Sequence, residues 1–144
     1  MESLPRRRPS VLARGFAVGL ASGARSTLGL VPPSIGPASR WPQVVAAGLV
    51  ATELAVDKLP VTPSRLAPPP FTARVVLGTV GAATLARREE AGWVLPAAAG
   101  AIGAAAGTLG GAALRHAGAE RGVTWPAALL EDAVALALVR WACG

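Results

Sequence analysis

The chain has 144 residues, and adding its 17 glycines to the 52% of hydrophobic residues brings the apolar share to about 64%, against roughly 45–50% in an average soluble domain. Charged residues make up 15% where about 25% is usual, and mean hydropathy is +0.48, which excludes an ordinary solvated surface and leaves too much to bury for a disordered chain. The net charge of +6 is spread as short basic flanks between apolar stretches, which argues against nucleic acid, and one His with one Cys excludes the usual zinc clusters and an intrachain disulfide.

These bounds predict an all-α integral membrane bundle, a single domain over 11–144 behind a basic tail at 1–10. The first segment, 11–31, follows Arg6, Arg7 and Arg8 in the order of a signal peptide's basic and apolar regions, but Arg14 interrupts it, so the expectation is a retained helix. The second, 42–58, opens on Trp41-Pro42 and carries Glu53 and Asp57. Prolines 60, 63, 68, 69 and 70 then predict an extended or turning connection over 59–70. A third segment, 71–86, contains Arg74, and the fourth, 91–114, is an uncharged run of 24 residues that satisfies the spanning rule of about 20 unaided. The last, 126–142, opens on Trp125-Pro126 and contains Glu131, Asp132 and Arg140.

Five spans result, with four plus a re-entrant or interfacial segment at 42–58 as the competing arrangement. Sorting Lys and Arg among five alternating spans, with Arg25 left aside, places nine on the side of the N-terminus (Arg14 and Arg115 among them) and four (Arg40, Arg87, Arg88 and Arg140) on the other. The positive-inside rule then puts the N-terminus in the cytoplasm.

Gly15, Gly19 and Gly23 in the first helix, and Gly103, Gly107 and Gly111 in the fourth, recur every four residues and so form one stripe each. Such glycine zippers let helices approach to backbone contact, where lipid supplies no hydrophobic drive; composition alone is the bland explanation. At an offset of 84 residues Gly19 falls on Gly103, Gly23 on Gly107, and Trp41-Pro42 on Trp125-Pro126. Helices one and two repeated as four and five, across an odd spacer, would make an inverted repeat of the kind found in transporters.

Charges inside apolar segments are costly and by default pair with one another or line a wet cavity. The acids are Glu53, Asp57, Glu131 and Asp132, and the bases Arg25 and Arg74. Arg25 sits about 200° around its helix from Gly23 and is expected to pair with Glu131, Asp132 or Glu53. Glu131 and Asp132, being adjacent, point about 100° apart.

The run Glu53-Leu54-Ala55-Val56-Asp57-Lys58-Leu59-Pro60-Val61-Thr62-Pro63-Ser64-Arg65 resembles the signature of a family of small bacterial multi-pass membrane proteins of unknown function. Gly23-Ala24-Arg25-Ser26 is similar to that family's Gly-x-Arg-Ser element, and Leu130-Glu131-Asp132 to its closing acidic pair. The resemblance implies a bacterial membrane protein with a polar motif after helix two and brings no activity with it. Physically, Lys58, Thr62, Ser64 and Arg65 offer donors in a proline-stiffened turn, suited to an anion or lipid headgroup or, more simply, to capping the next helix.

The sequence therefore leads to a bacterial inner-membrane protein whose partner is the lipid bilayer, with no cofactor and no metal. Its leading function is that of a small transporter-like protein or an ion or proton permeation protein, working through Glu53, Asp57, Glu131 and Asp132 with Arg25 as countercharge. The alternative is a structural or interaction protein, homo-oligomeric through its glycine faces, in which the charges only set helix pairing. An enzyme acting on headgroups through Asp57, Lys58, Ser64 and Arg65 lacks any nucleophile triad, since His116 stands alone.

Overall fold

The computed structural model describes residues 9–30 and 68–144. The expected second helix at 42–58 lies outside the described residues, together with Glu53, Asp57, Lys58, Thr62, Ser64 and Arg65. Within them the fold is all-α, with no strand: α1 (Val11–Ala24), a short 3-10 helix (Ser26–Leu30), α2 (Pro68–Arg88), α3 (Val94–Glu120) and α4 (Thr124–Cys143).

Three boundaries differ most from the sequence reading. Helix one ends at Ala24 because Arg25 is extended (φ −138°, ψ 110°), and the chain continues as the 3-10 turn whose Gly29 packs against the α2 backbone at Leu77. Pro68, Pro69 and Pro70 belong to α2 instead of to a connection. Proline is tolerated in a first helical turn, where its missing N–H has no intrahelical acceptor. Helix α3 runs six residues past 114, to Glu120, so Arg115 and His116 are helical and not in a polar loop.

Helix α1 starts at Ser10, whose hydroxyl accepts from the Ala13 N–H at 3.2 Å, an N-cap that satisfies one orphan donor. The two hairpin turns share one closure. Val123 donates to the Gly118 carbonyl (2.8 Å) across Gly122 at φ 69°, and Ala91 donates to the Ala86 carbonyl (3.0 Å) across Glu90 at φ 54°. Both are left-handed helix ends, one with the glycine that conformation favours and one without.

Helix α1 is the centre, packing on α2, α3 and α4. Its neighbours along α3 advance in step, Gly15 with Pro96, Gly19 with Gly100 and Gly23 with Ala104, so α1 and α3 run in the same direction. Against α2 the order reverses, Gly15 lying near Ala82 while Ser22 donates to the Arg74 carbonyl at 2.9 Å. Helix α4 is antiparallel as well, with Arg14 on the Ala142 carbonyl and Arg25 on Asp132.

This direction overturns the inverted repeat. Helices α1 and α3 are the two that align at the 84-residue offset, and an inverted repeat requires them to run oppositely. Five alternating spans conflict with the same fact: a single crossing between Leu30 and Pro68 would put the end of α1 and the start of α2 at opposite ends of the bundle, whereas Gly29 and Leu77 touch. The sorting of charges falls with it. Arg14 pairs with Glu89 in the turn after Arg87 and Arg88, so cations assigned to opposite sides share one end.

Among the described residues only α3 is long and apolar enough to cross a membrane. At 20 and 21 residues, α4 and α2 are long enough, but α4 carries Glu131, Asp132 and Arg140, and α2 carries Arg74, Arg87 and Arg88. The buried apolar side chains are mostly alanines, joined by Val18, Leu28, Leu85 and Val139, while Phe16, Leu95, Ile102, Leu109, Leu129, Val134 and Leu136 are exposed.

Candidate functional site

The α1–α3 contact sets the frame of the site. A methyl group placed on Gly19 would overlap the Gly100 carbonyl, and one on Gly23 the Ala104 carbonyl; on Gly103 and Gly107 it would strike the Phe16 and Leu20 carbonyls. Gly15 is looser, with a Cβ position 3.0 Å from the Pro96 oxygen. Thr108 closes this seam, its hydroxyl lying 2.8 Å from the Ala104 carbonyl and 3.3 Å from that of Gly23. Gly100 and Gly81 make close approaches of the same kind, and Gly78 a looser one at 3.0 Å from the Ala104 Cβ, all outside the two sequence stripes. Gly111 is buried beside an apolar groove between α3 and α4. Because these glycines engage one another within one chain, Gly19, Gly23, Gly103 and Gly107 are not available to a second copy, and oligomerisation through those faces is set aside.

Close α1–α3 packing brings the end of α1 over the middle of α4. Arg25, 4% exposed, grips one carboxylate oxygen of Asp132 with both Nε (2.8 Å) and Nη2. The neighbouring Glu131, also 4% exposed, pairs with a different helix, accepting from Arg115 Nε at 2.6 Å. The adjacent acids thus reach two cations on two helices, as their 100° separation allows. Asp132 is one of the three partners the sequence offered Arg25; Glu131 instead takes Arg115, which sequence reasoning missed by ending the helix at 114.

Arg25, Arg115 and Asp132 line one cavity of about 240 Å³, together with Thr124, Trp125, Ala128 and Leu129. That is room for several waters at about 30 Å³ each and is below the roughly 300 Å³ of a small-molecule pocket. A carboxylate held by a guanidinium beside such a space is able to exchange hydrogen bonds with water or a small ion while its charge stays compensated.

A second ionic contact closes the opposite end of the bundle. Arg14, 6% exposed, bonds both Glu89 and the Ala142 carbonyl at the last turn of α4. The signal for it was Arg14 itself, a charge inside an apolar helix that needs a partner. Arg74, another buried cation, lies on α2 where its carbonyl accepts from Ser22. His116 sits 3.7 Å from Glu120 on the exposed face of α3. Among the described residues no group of His, Cys, Asp and Glu is arranged to hold a metal ion.

No protein-family model matches the chain, and neither a curated protein nor a solved structure does. The functional reading therefore rests on the geometry above.

Proposed function

We propose that the chain is a small multi-pass protein of the bacterial inner membrane that passes protons or small ions through a polar centre at Asp132. The observation that carries this reading is the cavity that opens on the Arg25–Asp132 pair: an ion pair serving only helix register needs no space beside it. Membrane residence is supported by the distribution of side chains, with small residues and charges inside and large apolar residues outside, the arrangement suited to a lipid exterior. Trp93 and Trp141 at one end and Trp125 at the other are exposed, as interfacial aromatics are. Helix α3, at 27 residues about 40 Å long, exceeds a hydrocarbon core of about 30 Å.

The test is flux by purified protein in proteoliposomes under an imposed pH gradient, read with an enclosed pH-sensitive dye. The parent protein is expected to dissipate the gradient, Asp132→Asn to stop it in a folded bundle, and Glu131→Gln to weaken it less. Absence of flux from well-folded parent protein would refute permeation.

A specific observation favours a second reading, a structural membrane protein. Arg14–Glu89, Arg25–Asp132 and Arg115–Glu131 each join two separate elements, as register-setting pairs do. Under this reading Asp132→Asn unfolds the bundle and the parent protein carries no flux.

A further inference from the structure

Helices α3 and α4 are tight at their turn, where a Cβ on Gly118 would press on Ala127, and leave open space between them further along. Two spaces of about 260 and 300 Å³ lie there, and both are lined by Leu114 and Leu130, so they form one groove. It runs along α3 from its C-cap Arg121 back to Ala106, fifteen helical steps or about 22 Å. Its walls are apolar, and where α3 carries Gly107, Gly110 and Gly111 no side chain of the described residues fills it. Among the described residues its one carboxylate, Glu131, is paired with Arg115. Its one cation among them, Arg121, is exposed at the outer end, beside the turn.

We propose that this groove holds one acyl chain of an anionic phospholipid, with its phosphate on Arg121. The proposal rests on the membrane reading above and not on permeation. Three features select a lipid. The cation stands at the end of the bundle where headgroups lie and the apolar slot leads inward from it, the polarity of a lipid in its leaflet. The slot's length covers the depth of one leaflet, about 15 Å. Inward of Arg121 its lining is apolar apart from Glu131, which already has a partner in Arg115, and such a wall suits an acyl chain.

Gly110 supplies the test, since a Cβ there meets nothing within 4 Å and a side chain can be added without disturbing the fold. Full-length protein reconstituted with equal phosphatidylglycerol and phosphatidylcholine is re-extracted in detergent, and bound lipid per chain is counted by mass spectrometry. The parent is expected to retain about one lipid, enriched several-fold in phosphatidylglycerol. Gly110→Leu should lose that lipid, and Arg121→Gln should keep a lipid but lose the preference. Unchanged retention in Gly110→Leu, or unchanged preference in Arg121→Gln, overturns the site. A parent dimer that Gly110→Leu converts to monomer overturns it in favour of a second copy. A chain that fails to enter vesicles at all refutes the membrane reading itself, which separates the two failures.

Discussion

Asp132 and Glu131 differ by one position in sequence and by everything that matters in surroundings. Asp132 meets Arg25 beside a cavity, whereas Glu131 meets Arg115 with its side chain 4% exposed. Removing one partner of a buried pair leaves an uncompensated charge and costs about 3–5 kcal/mol. Arg115→Met is therefore expected to lower thermal stability in detergent, and Arg115→Met with Glu131→Leu to recover part of the loss, because the pair is then removed as a whole and not from one side. Glycines give the opposite contrast at equal chemistry. Gly19→Ala should destabilise and separate α1 from α3, since its methyl overlaps the Gly100 carbonyl, while Gly110→Ala should gain about 0.5–1 kcal/mol from helix propensity alone. Unfolding curves of the two variants in one detergent check this. The sequence singled out Gly19 and Gly23 by spacing but not Gly100 or Gly81, because a four-residue period says which residues share a face and not which face meets another helix.

At the scale of elements, helix identity was legible and helix ends were not. Apolar length marked α3, and charge-interrupted apolar stretches marked α1, α2 and α4. One end was decided by a tertiary contact, Arg25 being extended where it meets α4, and another by local turn chemistry, Arg115 and His116 staying helical because the turn comes only at Gly122. The two hairpin turns predict an asymmetry. Gly122→Ala forces a side chain into the left-handed region and should cost about 1–2 kcal/mol. Glu90→Gly relieves the same conformation in the other turn and should cost nothing, which thermal unfolding of both variants reads directly.

The whole molecule is organised by direction. With α1 and α3 parallel and α2 and α4 antiparallel to them, the start of α1, the α2–α3 turn and the end of α4 share one end of the bundle, tied there by Arg14. If the bundle crosses a bilayer as proposed, the start of α1 and the end of α4 are expected on one side, where five alternating spans would separate them. Single cysteines at Pro9→Cys and at Gly144→Cys, each in a Cys143→Ser background, are expected to react with a membrane-impermeant thiol reagent from the same side of sealed vesicles. Reaction from opposite sides would restore the five-span topology.

Composition by itself determined that this chain is helical and apolar and holds too few charges for a solvated surface, because those properties depend on totals and on apolar runs along one strand of sequence. It also marked Arg25 and Asp132 as costly groups in need of partners. Only the tertiary structure decided which acid meets which base, that the two glycine series meet each other, and that the helices aligned by the 84-residue offset run parallel. Pairing and direction depend on which faces of separate elements touch, 16 residues apart for Arg115 and Glu131 and 107 for Arg25 and Asp132, and no local period carries that information.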